Sequence, residues 1–298
     1  MSKDSSYIYE NRIIPKGLLV AIGGNEDKEH DLQIFNTILS LVNKKRKSIE
    51  IITTASSYPE EAGMAYYKVF TRDSENNVGL MHISTREQAS DASLLKRITT
   101  ADIIFFTGGD QLRITSVLGG TPIENEILRR YEQEFCIISG TSAGASAMSK
   151  TMICGGDSRE ALRKGTINVS IGIGLIDNAI IDTHFIERGR FSRLMQIVSM
   201  NPSNIGIGIG EDSGIVIKGG CILKAIGRGI TVILDGQHLK YTNVADIDSD
   251  EAIAIENLVI HTIVNGYGYD LCEKKYLRPY DLDRINRIES EGNSSENN

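Results

Sequence analysis

The stretch from Phe135 to Lys150 limits how this chain can fold more than any other: Phe-Cys-Ile-Ile-Ser-Gly-Thr-Ser-Ala-Gly-Ala-Ser-Ala-Met-Ser-Lys. An apolar run of β type passes into small, helix-compatible residues, and the join is Gly140-Thr141-Ser142-Ala143-Gly144. A G-x-S-x-G sequence between strand and helix imposes a sharp turn. Its glycines accept strained dihedrals and close packing, and the serine side chain projects away from the sheet. The next amide, of Ala143, opens a helix, where N–H groups have no intrahelical partner and the dipole favours negative charge. Ser142 is therefore a candidate nucleophile and Ala143 a candidate oxyanion donor. A tight βα turn rich in small residues has the same letters, so the motif depends on its context.

That context is an alternation of strands and helices. Leu18–Ile22 reads as a buried strand stopped by Gly23-Gly24. Leu32, Phe35, Ile38, Leu39 and Val42 then recur at helical spacing over residues 31–44. Further strands are expected at Ile49–Thr54, Val78–Ile83 and Asp102–Thr107, and helices at Glu60–Phe70 after Pro59 and at Ser90–Thr100 with Ser90 or Asp91 as cap. Helical patterns at Leu112–Leu118 and Ile123–Glu132 lead to the Ser142 turn. Strands apolar on both faces, separated by helices, predict an α/β fold with a mostly parallel central sheet flanked by helices.

Beyond the turn the pattern loosens. Gly155–Gly174 is glycine-rich, a loop or extended segment; Ala179–Ile181 reads as a short strand and Phe191–Met200 as a helix closed by Asn201-Pro202. Short strands at Ile205–Ile209, Gly214–Ile217, Cys221–Ile226, Thr231–Leu234 and Leu258–Val264, with glycine-containing turns between them, predict an antiparallel C-terminal extension of the sheet. The expected organisation is a polar arm (1–16), one α/β domain (17–283) and a disordered polar tail (284–298).

A net charge of −7 argues against a general nucleic-acid binder. With no apolar run of membrane-spanning length and no signal-peptide pattern, the expected location is cytoplasmic. Cys136, Cys154, Cys221 and Cys272 are widely spaced, without C-x-x-C or zinc-type clustering, so reduced thiols and no metal are expected, with Cys136 a small buried hydrophobe.

Ser142 needs a base and a group to orient that base. Of five histidines, His184, in Asp182-Thr183-His184-Phe185, follows a strand end, where open α/β sheets hold their chemistry. His261 is the second candidate, and His30, His82 and His238 read as structural. For the acid, Glu211 in Gly210-Glu211-Asp212-Ser213 comes first, with Asp212 and Asp182 as alternatives. Gly108-Gly109-Asp110 offers a second oxyanion donor and would set Gln111 toward substrate, although a plain glycine turn fits the same letters. Arg188, Arg190 and Arg193 suit bidentate carboxylate binding. Positive charge at a helix start opposes the dipole, so an acidic neighbour is expected there.

Four motifs occur in one order: Phe106-Thr107-Gly108-Gly109-Asp110-Gln111, Gly140 to Ser149, Asp182-x-His184-Phe185-x-x-Arg188-Gly189-Arg190, and Gly210-Glu211-Asp212. Over residues 17–282 the chain resembles the cyanophycinases, serine peptidases related to the aspartyl dipeptidases (peptidase E) with a class I glutamine amidotransferase-like fold. The resemblance implies a Ser142–His184–Glu211 triad, oxyanion donors at Gly109 and Ala143, and substrate contacts from the Gly108–Gln111 loop (Asp110, Gln111), from Asp182 and Thr183, and from Arg188, Arg190 and Arg193. It implies a homodimer without cofactor that cuts the aspartate backbone of cyanophycin, multi-L-arginyl-poly-L-aspartate, to β-aspartyl-arginine. Cyanophycinases usually carry glutamine before the histidine; Thr183 is shorter and has no amide donor, which bears on the substrate more than on the hydrolysis. The Cys154–Gly165 stretch is a second place where the pocket is expected to differ.

Three rivals differ in kind. An α/β-hydrolase needs the order Ser, acid, His, which appoints His261 with Asp235 or Asp246. Gly172-x-Gly174 and Gly206-x-Gly208-x-Gly210 lack the G-x-G-x-x-G form of a dinucleotide site. A catalytically silent binding protein would keep the fold without the chemistry. Within the family, an aspartyl or isoaspartyl dipeptidase is the alternative to a cyanophycin hydrolase.

Overall fold

A computed structural model of the chain describes residues 14–72, 75–156 and 162–295. Most of the expected N-terminal arm (1–13) and part of the Cys154–Gly165 stretch lie outside the described residues. The first half alternates as its periodicity requires: β1 (Leu18–Ile22), α1 (Gln33–Ser40), β2 (Ser48–Ile52), α2 (Pro59–Phe70), β3 (Asn77–Met81), α3 (Ala92–Thr100), β4 (Ile103–Phe106), α4 (Gln111–Leu118), α5 (Pro122–Gln133) and β5 (Ile137–Thr141). Then follow α6 (Ala143–Ser146), β6 (Thr151–Gly156), β7 (Ile167–Ile171), β8 (Ala179–Thr183), α7 (Phe191–Met200), β9 (Ile205–Ile209), β10 (Ser213–Lys218), β11 (Ile222–Gly227) and β12 (Thr231–Asp235). The chain closes with β13 (Tyr241–Thr242), β14 (Ile255–Glu256), β15 (Val259–Ile263), β16 (Gly268–Asp270), β17 (Lys275–Leu277) and α8 (Pro279–Ser295).

The large sheet runs β17-β16-β11-β10-β1-β5-β4-β2-β3. Strands β1 to β5 pair in parallel, and β10, β11, β16 and β17 extend the sheet antiparallel from β1. The period-2 geometry of a strand sends alternate residues to opposite faces. Val20, Ile22, Ile103 and Phe105 thus pack with Phe35 of α1 and Phe70 of α2. Leu19, Ala21, Ile104 and Phe106 pack with Ile98 of α3 and Ile127 of α5.

The antiparallel extension is only part of what the C-terminal strands do. β9, β12 and β15 join β8 in a second sheet of order β15-β12-β9-β8. The reason lies in the Ile-Gly-Ile-Gly-Ile of β9. Ile205, Ile207 and Ile209 enter the core shared with the large sheet. Gly206 lies under Leu194 and Val198 of α7, and a Cβ on Gly208 would fall 2.4 Å from the Phe185 ring.

Helix α8 runs from Pro279 through Ser295; the Asp281 carboxylate accepts the Arg278 N–H (2.9 Å) at its start, and Leu282 is buried. The expectation of four reduced thiols is corrected. Cys221 and Cys272 form a disulfide, because β11 pairs with β16 and brings their Cα atoms to 5.3 Å. Cys136 is free and buried, as expected, and burial pushes its thiol up to about 11. The helix after Ser142 is a single turn, after which the glycine-rich segment pairs as the β6–β7 hairpin. Among the described residues no helix is long and apolar enough to cross a membrane, and no three histidine, cysteine or acidic residues cluster as metal ligands.

Candidate active site

Ser142 sits where β5 ends beside β1. Thr141 pairs with Ile22, and the Ser142 N–H donates to the Ile22 carbonyl (2.9 Å). Its backbone is in a rarely occupied conformation (φ 51°, ψ −112°), the strain that turns a nucleophile elbow outward. Both flanking glycines are sterically required. A Cβ on Gly140 would fall 2.6 Å from the Gly144 backbone, and one on Gly144 would fall 2.6 Å from the Phe106 carbonyl.

His184 follows the last residue of β8, also at positive φ (48°), with its N–H on the Gly23 carbonyl (2.8 Å). Its ring lies against Gly24, where any Cβ would be 2.3 Å from Cε1. Ser142 Oγ is 2.9 Å from His184 Nε2, and His184 Nδ1 is 2.7 Å from Glu211 Oε1. A carboxylate at Nδ1 keeps the proton on that nitrogen, leaving Nε2 to accept from the serine hydroxyl. Glu211 follows β9, with Oε2 accepting from Asn25 Nδ2 (2.7 Å). The hydrogen bond from His184 holds this carboxyl below the ordinary glutamate range; partial burial opposes that, and the Asn25 bond and the nearby His184 and Arg188 charges add to it.

The other candidates for base and acid have different partners. His261 lies between the rings of Tyr269 and Tyr276, at 5.6 and 5.7 Å. His82 Nδ1 meets Thr53 Oγ1 (2.7 Å). Asp212 accepts the Asp27 N–H (3.1 Å), and Asp235 accepts the Tyr269 hydroxyl (2.7 Å).

The Gly108–Gly109 backbone borders Ser142: a Cβ on Gly108 would lie 3.9 Å from Ser142 Oγ. Gly109, at φ 143°, packs so tightly that a Cβ would lie 2.1 Å from the Ala55 carbonyl. Ala143 is the first residue of α6, where an N–H has no intrahelical acceptor. One turn of helix has little dipole, so the amide itself, rather than the helix, is the electrostatic resource.

Several expected substrate contacts have internal partners. Asp110 caps α4, accepting the Leu112 N–H (2.9 Å), and Gln111 Nε2 donates to the Ile153 carbonyl of β6 (2.8 Å). Asp182, 1% exposed, takes a bidentate pair from Arg193: Nε to Oδ2 at 2.6 Å and Nη2 to Oδ1. Arg190 Nη1 donates to Asp182 Oδ1 (3.3 Å) and to the Thr183 carbonyl (2.7 Å), and burial pushes its guanidinium down to about 10 against the pull of Asp182. Asp182 is thus the acidic neighbour the arginines require. Thr183 is buried, and its N–H bonds Asp182 Oδ1 (2.9 Å). Arg188 is exposed.

Sequence reasoning missed Asn25, which donates to Glu211, and the buried Glu26, which accepts the hydroxyl of Thr141 (2.8 Å) next to Ser142. Their position after the C-terminal end of β1, beside β5 in a parallel sheet, was the available signal.

Residues 18–224, more than half of the chain, match the model of peptidase family S51. A cyanophycinase from Synechococcus elongatus is 33% identical over 256 residues, 86% of this chain and 80% of that one. One from Trichormus variabilis is 33% identical over 262 residues, 88% of each chain. Among solved structures, a peptidase from an acI-B1 actinobacterium superposes with a TM-score of 0.63 at 18% identity, covering 87% of this chain and 98% of the other. A putative peptidase E protein from Listeria monocytogenes superposes at 0.51 and 18% identity, covering 72% and 99%. At that identity the likeness shows the fold alone, whereas the family match and the 33% relatives reach further: the chain belongs to peptidase family S51 and is a serine-type peptidase.

Proposed function

We propose that the protein is a cyanophycinase that works through Ser142, His184 and Glu211. The observation that carries this is the unbroken hydrogen-bond chain from Ser142 Oγ through His184 to Glu211, at 2.9 and 2.7 Å. Ser142 attacks an aspartyl carbonyl carbon and gives its proton to His184 Nε2, and Glu211 stabilises the resulting imidazolium. The Ala143 and Gly109 amides receive the oxyanion; removing one such donor typically costs about 3 kcal/mol of barrier. His184 returns the proton to the leaving amine, and water resolves the acyl-enzyme. Arg188, exposed and close enough to act on the Glu211 charge, binds a substrate carboxylate, while Asp182 pairs with Arg190 and Arg193 to form the wall beside it.

The names of the 33% relatives support cyanophycin as substrate. An open depression of about 600 Å³, lined by Asp110, Leu112, Arg113 and Ile171, adjoins the glycine loop. The second reading, a dipeptidase for aspartyl or isoaspartyl peptides, rests on Thr183 standing where cyanophycinases usually carry glutamine, so that this position offers no amide donor. Incubation with purified cyanophycin and, separately, with Asp-X and β-Asp-X dipeptides tests the choice. Release of β-aspartyl-arginine from the polymer is expected; cleavage of dipeptides with the polymer untouched would establish the second reading.

A further inference from the structure

The residues after β1, Gly23-Gly24-Asn25-Glu26-Asp27, touch every segment that carries a group of the Ser142–His184–Glu211 relay. The Gly23 carbonyl accepts the His184 N–H, the Gly24 carbonyl accepts the Asp212 N–H (3.1 Å), and Ser142 is tied to the preceding Ile22. Two successive side chains then diverge. Asn25, at φ 47°, reaches Glu211 Oε2 at 2.7 Å. Glu26, whose side chain is 0% exposed, accepts Thr141 Oγ1 on Oε2 (2.8 Å) and the Tyr66 hydroxyl on Oε1 (2.7 Å), with Lys28 Nζ 3.2 Å from Oε1. Thr141 immediately precedes the nucleophile.

The two contacts address two physical problems. The Glu211 side chain is 26% exposed, and a carboxylate in that setting rotates and exchanges its partner for water unless its second oxygen is held. The elbow at Ser142 is strained, and strain persists only where its surroundings over-determine the backbone. A buried carboxylate taking two hydroxyl donors and an ammonium group is a rigid anchor, since breaking any of these bonds leaves a desolvated charge. We propose that Asn25 and Glu26 form a clamp of positioning residues, Asn25 fixing the Glu211 carboxylate toward His184 and Glu26 fixing the Ser142 elbow through Thr141. The clamp rests on the proposed catalytic role of Ser142, His184 and Glu211.

The charged groups around Glu211 bear on the test. His184, Glu187 and Arg188 come from the segment after β8, and Glu187 Oε1 lies near Gly210. Asp212 neighbours Glu211 and meets Asp27, while Arg228 packs its backbone on Asp212 and pairs its side chain with Asp31. Against that background, Asn25→Gly keeps the left-handed backbone and removes only the amide. Asn25→Asp keeps the shape and sets one carboxylate against another, so the pair retains a proton to higher pH.

Asn25→Gly is expected to lower kcat roughly tenfold with KM little changed, the effect of losing one hydrogen bond to a charged group. Asn25→Asp lowers kcat further and moves the acid limb of the kcat/KM profile to higher pH. Glu26→Gln and Thr141→Val each slow fluorophosphonate labelling of Ser142, and Thr141→Val leaves the buried carboxylate with its other partners should Glu26→Gln fail to fold. A merely structural role would instead lower the melting temperature and leave the pH profile and labelling rate of folded protein unchanged; that result overturns the clamp. Unlabelled wild-type protein would remove the peptidase mechanism and the clamp with it. A labelled wild type matched by every variant would remove the clamp alone.

Discussion

His184 and the arginine cluster come from the same short stretch, residues 182–193, yet they are used in opposite ways. His184 makes one bond to Ser142 and one to Glu211, and all three side chains keep some solvent exposure. Arg193 and Asp182 are buried against each other with Arg190 alongside, while Arg188 stays at the surface. The difference shows what a motif does and does not convey. Residue type gives the available chemistry, but burial decides whether a charge faces a ligand or completes the wall that holds the site.

The contrast is easiest to break at the relay. Ser142→Ala and His184→Ala are each expected to reduce hydrolysis by about 10⁴-fold or more at unchanged melting temperature, whereas His261→Ala keeps wild-type activity. Loss of activity in His261→Ala would instead favour the Ser, acid, His order of an α/β-hydrolase. At the arginine wall the effect should be on stability. Asp182→Ala leaves the buried Arg193 guanidinium and the partly buried Arg190 without their carboxylate, and denaturant titration should show a loss of about 3–5 kcal/mol. An Asp182→Ala protein of normal stability with only a raised KM would place that carboxylate among the substrate contacts.

Arg188→Ala should divide the other way, raising KM for aspartyl substrates roughly tenfold without moving the melting temperature, as expected for a charged hydrogen bond made only to substrate. An unchanged kcat/KM would end its role as a clamp for carboxylates. The smallest expected effect is on the Glu211 titration. Its folded value is depressed, so the stabilisation it contributes is fully present above the ordinary value of about 4.3 and is lost as pH falls through the lower folded value. Carbon-13 titration should find its midpoint below the ordinary range, and His184→Ala should raise that midpoint by removing the largest cause.

Much of the fold was legible because the strands of the parallel half are short, nearly continuous apolar runs, each followed by helical spacing. The destination of β9 was not, since Ile-Gly-Ile-Gly-Ile suits either sheet. What decides it is that Gly206 and Gly208 admit α7 and Phe185, a contact no local pattern contains. The Cys221–Cys272 bridge, 51 residues apart, follows from strand pairing and is equally silent in the spacing. Ser142, His184 and Glu211 were legible as polar residues directly after strand ends. Asn25 and Glu26 occupy the same kind of position, but Gly23-Gly24 reads as a strand stop and hides them. Asp110 and Gln111, expected to meet substrate, also have internal partners that no local pattern contains: Asp110 caps α4, and Gln111 ties it to β6.

The central claim is that Ser142 is a nucleophile activated by His184. Treating the protein with a fluorophosphonate probe and mapping the modified peptide tests it most directly. The adduct is expected on Ser142 in the wild type and His261→Ala, and not in His184→Ala. A folded wild-type protein that stays unlabelled, or one labelled equally well without His184, would contradict it.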